Sequence, residues 1–83
     1  MSDPSCPFEK GKRYRVLHDL SYLNHVLRGD SEVIFQDYGY DFKSNVRRYW
    51  FISPESGDSN AWHVFDSNYG EIGLWRTHFE EVN

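Results

Sequence analysis

The side chains capable of acid–base chemistry are scattered along this sequence, and their spacing predicts neither a catalytic nor a metal site. His18, Asp19, His63 and Asp66 could work as general acid and base only if the fold brought them together. Zinc would need closely spaced Cys and His ligands, but the chain has one cysteine, Cys6, and four separated histidines. A fold of this size also leaves little volume for a sheltered pocket. We therefore expect no catalytic residues, no bound metal and no cofactor.

Aromatic side chains are the more informative feature, because Phe, Trp and Tyr make up 18% of the 83 residues. A small barrel encloses only a handful of large rings. Strand alternation assigns the core to Val16, Val33, Phe35, Trp50, Ile52, Val64, Ile72, Leu74 and Phe79. The aromatics left for loops or the outer face are Tyr22, Tyr38, Tyr40, Phe42, Tyr49, Trp62, Tyr69 and Trp75. Such a cluster often marks recognition, although several of these rings could instead cover the ends of the barrel.

A predicted partner-binding surface follows from these leftover rings and a neighbouring carboxylate. Its residues come mainly from the loop between the second and third strands and from the third hairpin: Tyr38, Tyr40, Asp41, Phe42, Tyr49, Trp62 and Trp75. We expect this surface to bind a protein partner without catalysis. The same rings could equally form a self-association face, so monomer and weak homodimer both stay open.

The charge balance narrows the class of partner. A net charge of −4 repels nucleic acid and anionic membranes, and the basic clusters, 10–15 and 47–48, are short. One alternative is single-stranded nucleic-acid binding by the aromatics with Arg47 and Arg48, which we disfavour. Another is a small acidic inhibitor or immunity-type protein that blocks a larger enzyme by docking carboxylates on a basic partner.

The chain is expected to be one domain that follows a short tail. Residues 1–7 are predicted to be a flexible N-terminal tail, and residues 8–83 form the domain. The lone cysteine cannot make an internal disulfide, which suits a reducing compartment. Apolar runs are too short for a signal-peptide core or a membrane span. We therefore expect a cytoplasmic protein without membrane association.

Five short strands separated by turns must position these side chains. The strands are predicted at residues 13–18, 32–36, 46–52, 62–65 and 71–75. Residues 19–30 do not alternate, and we favour an ordered hairpin loop over a short helix there. With no sustained helical period and no internal repeat, the pattern predicts a small antiparallel all-β barrel or sandwich.

Three segments, in the expected order, resemble an SH3 domain. Residues 70–82 resemble its end, where a Gly-Leu-aromatic strand leads into a helical turn and a last short strand. Residues 16–20 resemble its opening strand, and residues 29–34 resemble the Gly-Asp turn before its second strand. The start of the chain and its aromatic-rich middle are also similar to small bacterial SH3-like domains of unknown function. The resemblance implies a five-stranded antiparallel SH3-like barrel with one short helical turn near the C-terminus.

The resemblance does not extend to the ligand groove of the SH3 family. That groove binds Pro-rich helices on stacked aromatics and a proline, with acidic residues in the first long loop. Arg76 stands in the place of the proline, Phe79 in that of a groove tyrosine and His18 in that of the first-strand tyrosine. Residues 21–28 contain no Asp or Glu. We therefore expect an interaction domain that does not recognise Pro-rich peptides in the family's manner.

Overall fold

Two antiparallel sheets of unequal size make up residues 6–82, the part of the chain that the computed structural model describes. The strands are β1 (Arg13–Val16), β2 (Leu20–Tyr22), β3 (His25–Leu27), β4 (Glu32–Asp41), β5 (Val46–Ile52), β6 (Ser59–Phe65) and β7 (Phe79–Glu81). A helical segment lies between β6 and β7, with 3₁₀ turns at Asp66–Asn68 and Trp75–Thr77 on either side of the single-turn helix α1 (Gly70–Gly73). The predicted all-β class is confirmed.

The larger sheet has the strand order β6-β5-β4-β1-β7, and β2 and β3 form a separate hairpin. All pairs are antiparallel. No pairing joins the edge strands β6 and β7 within residues 6–82, so the sheet is open and the predicted closed barrel is not observed. Most of the predicted tail lies outside the described residues, and Cys6 and Pro7 are half-buried.

The centre of the core is filled by Phe8, which precedes the first strand. Its ring lies 5.1–6.0 Å, centroid to centroid, from those of Tyr14, Phe35, Tyr49, Phe51, Trp62, Trp75 and Phe79. Most of these pairs are edge-to-face, an arrangement that aromatic quadrupoles favour. The apolar interior is therefore built from large interlocking rings.

The inward face of β5 is opposite to the one predicted. Tyr49 and Phe51 are fully buried, whereas Trp50 and Ile52 are half-buried on the other face. All four residues are apolar, so the sequence pattern does not determine which pair points inward, and a shift of one residue exchanges the faces. The β2–β3 hairpin partly covers the outer face, where His25 contacts Trp50 at 5.1 Å.

A β-bulge in β4 changes which side chains face inward along that strand. Phe35 pairs with Phe51, but Asp37 pairs with Trp50, which leaves Gln36 as an extra residue. Without the bulge, Tyr38 and Tyr40 would lie on the face opposite to Phe35. The extra residue turns them to the inner face, where their partners on β5 are Tyr49 and Arg47.

The predicted strand at 71–75 is wrong, because helix α1 occupies residues 70–73. A strand would bury Ile72 and Leu74, which are two residues apart. The helical turn instead buries Ile72 and Trp75, which are three apart, and leaves Leu74 exposed.

None of the described helices is long and apolar enough to cross a membrane.

The segment after β1 forms the β2–β3 hairpin, consistent with the favoured hairpin loop. Leu23, at its tip, is 80% exposed and has a φ of +54°. This left-handed region costs a non-glycine residue roughly 1–2 kcal/mol. The tip thus combines an apolar, solvent-exposed side chain with an unfavourable backbone angle.

Leu23→Gly is expected to stabilise the protein by about 0.5–1 kcal/mol, because it removes the left-handed penalty and sacrifices little burial. Leu74→Gly is the matched control: Leu74 is also exposed, but its φ is −103°. There the same change should destabilise by about 0.5–1 kcal/mol through unfolded-state entropy. Urea midpoints measure both, and equal losses in the two variants would show that Leu23 is unstrained.

Candidate interaction site

A cluster of exposed and half-buried aromatic and charged side chains lies where the β4–β5 hairpin meets the segment after β6. We call it the arginine–aromatic patch, and it consists of Tyr40, Phe42, Arg47, Asp66 and Tyr69. The guanidinium carbon of Arg47 lies 4.8 Å from the centroid of the Tyr40 ring and 4.9 Å from that of Tyr69. Both distances are within the range of cation–π attraction. Phe42 packs edge-on against Tyr40, with centroids 4.8 Å apart, and is 83% exposed.

Asp66 fixes the geometry of the patch. Its Oδ1 accepts a 2.8 Å hydrogen bond from Nη1 of Arg47, and its Oδ2 accepts a 2.6 Å bond from the Tyr40 hydroxyl. The hydrogen bond to Asp66 raises the pKa of Tyr40, because the carboxylate holds the phenolic proton. Tyr40 is therefore a neutral donor at physiological pH, and Arg47 has a defined orientation.

The turn between β4 and β5 presents Phe42 to solvent. Asp41 Oδ1 accepts the backbone N–H groups of Lys43 and Ser44, and its Oδ2 pairs with Nη2 of Arg48 at 3.2 Å. These bonds, led by the Lys43 amide, lower the pKa of Asp41. The left-handed φ of +52° at Asn45 completes the reversal. A charged, hydrogen-bonded Asp41 thus supports the turn beneath Phe42.

The seven predicted contact residues divide into two groups. Tyr40, Asp41 and Phe42 lie at or beside the patch, and Tyr38 is half-buried next to them, stacked on Tyr49 at 5.7 Å. The prediction that Tyr49, Trp62 and Trp75 are surface residues is wrong, because each is at most 7% exposed. They belong to the hydrophobic core and offer no surface to a partner.

Local geometry explains why these three rings point inward. Tyr49 and Trp62 are register partners on β5 and β6 and face the same interior. Trp75 lies three residues after Ile72, in the 3₁₀ turn that follows α1, and both side chains are buried in the core. Alternation also places Trp62 on the same face as Val64, which had been assigned to the core.

Sequence reasoning did not include three members of the patch among the contact residues. Arg47 was considered only as a phosphate ligand, Tyr69 as a leftover ring and Asp66 as an acid–base candidate. Their convergence depends on the bulge in β4 and on the 3₁₀ turn that begins at Asp66. The only features of the sequence that pointed to a contact role for these residues were a basic residue at position 47 and an aromatic residue at position 69.

The candidate acid–base residues are not brought together. Nε2 of His18 contacts Nδ1 of His78 at 2.8 Å, and Asp19 accepts the Gly29 amide. His63 contacts Arg48 and Ala61, while Asp66 belongs to the patch. Within residues 6–82, no group of three or more His, Cys, Asp or Glu side chains is arranged to hold a metal.

The positions that the sequence resemblance assigned to an SH3 ligand groove do not form a proline-binding surface. Phe79 is 1% exposed and belongs to the core. Arg76 is exposed, and its guanidinium carbon lies 4.4 Å from the centroid of the Trp75 ring. A buried ring and a stacked arginine leave no aromatic groove at these positions.

Comparison with known proteins identifies a fold and no family. No family model and no curated protein matches the sequence. An integron cassette protein from the mobile metagenome of Vibrio cholerae has a similar structure, with a TM-score of 0.68 and 13% sequence identity. The alignment covers 89% of this chain and 87% of that chain. The two proteins therefore share an all-β fold over most of their lengths.

Proposed function

We propose that this chain is a non-catalytic protein-interaction domain whose contact surface is the arginine–aromatic patch. The observation that carries the proposal is Phe42, an 83% exposed phenylalanine supported by the Tyr40 ring beside an ordered arginine. Exposing a phenylalanine ring to water is unfavourable in free energy. Tyr and Arg are among the residues most enriched at binding hot spots. The carboxylates at the patch, Asp41 and Asp66, supply polar contacts at its rim.

The ordering of the patch favours binding. Arg47 is stacked between two rings and paired with Asp66, so its side-chain entropy is already restricted in the free protein. A partner that contacts a preorganised side chain loses less conformational entropy on association.

An SH3-like assignment of the fold is part of the proposal. It is supported by five antiparallel strands with the β2–β3 hairpin inserted after the first and a helical turn before the last. Binding would not follow the family's Pro-rich mode, because Phe79 is buried and Arg76 replaces the groove proline.

The local pairing of Arg47, in the patch, and of its neighbour Arg48 favours a protein over a nucleic acid. Arg47 pairs with Asp66 at 2.8 Å and Arg48 with Asp41 at 3.2 Å, so their charges are offset locally. With a net charge of −4, little positive potential remains for phosphates. An inhibitor of a basic enzyme is one form that such a partner complex could take.

The test is quantitative affinity capture from native-cell lysate, with wild type, Phe42→Ala and Leu23→Ala as baits. Both substituted residues are about four-fifths exposed, so both variants should fold normally. We expect one protein to be retained by wild type and by Leu23→Ala and to be reduced at least tenfold with Phe42→Ala. The purified pair should then show the same tenfold loss of affinity in titration.

Retention of the same partner by Phe42→Ala would place the contact surface elsewhere and contradict the proposal. Capture that disappears after nuclease treatment and falls steeply with salt would instead favour the nucleic-acid alternative.

A further inference from the structure

The β2–β3 hairpin is attached to the edge of β6 by side-chain hydrogen bonds, because it forms a sheet of its own. The Ala61 N–H donates to Nδ1 of His25 at 3.2 Å, and the Val26 N–H donates to Oδ1 of Asn60 at 3.2 Å. Nδ1 of His63 lies 3.2 Å from the carbonyl oxygen of Ala61. Two histidines thus occupy the backbone groups of Ala61 that a neighbouring strand would otherwise pair.

The partners determine where the protons of both rings lie. A backbone amide and a guanidinium can only donate, so His25 Nδ1 and His63 Nε2, 3.3 Å from Arg48 Nε, must carry lone pairs. A carbonyl can only accept, so Nδ1 of His63 bears its proton. Both rings are therefore neutral in this arrangement.

The charged groups that face these rings disfavour an added proton or are already paired, while the carbonyl of Ala61 acts in the opposite direction on His63. The His25 and His63 centroids are 5.0 Å apart, and Arg48 of β5 presents its guanidinium to His63. Tyr22 of β2 covers His63 at 4.7 Å, and the nearby carboxylate, Asp41 of β4, is paired with Arg48. Burial, with further contributions from His25 and Arg48, lowers the pKa of His63.

We propose that His25 and His63 form an acid-released latch that holds the β2–β3 hairpin on the edge of β6. Nδ1 of His25 holds the Ala61 N–H only while it carries a lone pair. Protonation of His63 places an N–H opposite Arg48 and converts that hydrogen bond into a donor–donor repulsion directly beneath Tyr22 and His25 of the hairpin. Release of the hairpin uncovers backbone groups of β6, and an unpaired strand edge is a template for association.

The direction of the pH effect follows from linkage. Because the pKa of His63 is lowered in the folded state, a released or unfolded state binds more protons between that pKa and the ordinary value near 6.5. The stabilising contribution is therefore complete above about pH 6.5 and is lost as the pH falls below it.

The test is amide hydrogen exchange of the native chain between pH 7.5 and 5.0, expressed as protection factors. We expect Ala61 to lose at least tenfold in protection, while Trp62, whose backbone faces β5 by strand alternation, keeps its protection. The control is the double variant His25→Asn/His63→Gln, whose amide oxygens lie near the positions of the two acceptor nitrogens in the native chain. Neither amide side chain titrates. Its Ala61 protection should not depend on pH.

Three results would overturn the latch. The first is unchanged protection of Ala61 down to pH 5.0, and the second is an equal loss in the non-titrating variant. The third is a parallel loss at Trp62, which would indicate unfolding of the whole sheet.

Discussion

Phe8→Ala is expected to destabilise the protein by about 3–5 kcal/mol, the usual cost of replacing a buried phenylalanine by alanine. The Phe8 ring is 6% exposed and lies at the centre of the aromatic core. A chain of this length has a total stability of only about 4–12 kcal/mol. The variant should therefore be largely unfolded, or melt more than about 12 °C lower. Circular dichroism and urea denaturation measure the loss.

Phe42→Ala is the control for this experiment, since it makes the same substitution at an exposed position. It removes no core contact, so we expect a change within about 0.5 kcal/mol. Equal stability of the two variants would mean that the segment before β1 does not belong to the core. The pair also separates folding from binding, because Phe42 belongs to the proposed contact surface and Phe8 does not.

The sequence predicts the strands better than it predicts which faces they bury. β5 was placed at 46–52 because β-branched and aromatic residues are concentrated there, and its bounds are confirmed. The inward assignment of Trp50 failed because its neighbours are also apolar. Where hydrophobic and polar residues do alternate, as in residues 13–16, the buried position of Val16 was predicted correctly.

The candidate site was less predictable, because it depends on long-range geometry. Phe42 and Tyr40 were identified as surplus rings in a polar loop, which composition alone indicates. Arg47 could not be placed between Tyr40 and Tyr69 without the bulge at Gln36 and the strand register. Neither a bulge without glycine nor the 3₁₀ turn that begins at Asp66 has a strong sequence signature.

Gly29→Ala is expected to destabilise the protein by about 1–3 kcal/mol, because the base of the β2–β3 hairpin has no room for a methyl group. An added Cβ would lie 3.0 Å from the Cα and 3.2 Å from the carbonyl carbon of His18, and 3.3 Å from the Asp19 nitrogen. These are backbone atoms and cannot move aside as a flexible side chain can. The 2.7 Å bond from the Gly29 N–H to Asp19 Oδ1 restrains the same point.

Gly39→Ala provides the matched control, since within residues 6–82 no atom beyond its chain neighbours lies within 4 Å of the added Cβ, and the residue is within β4. That change should be neutral or stabilise by up to about 1 kcal/mol, because alanine restricts the unfolded chain. Urea midpoints with a constant m value give both differences. Indistinguishable midpoints would mean that the hairpin base adjusts to the added methyl group. A loss confined to Gly29→Ala would show that close backbone packing fixes the hairpin where it leaves β1, independently of the histidines that hold it on β6.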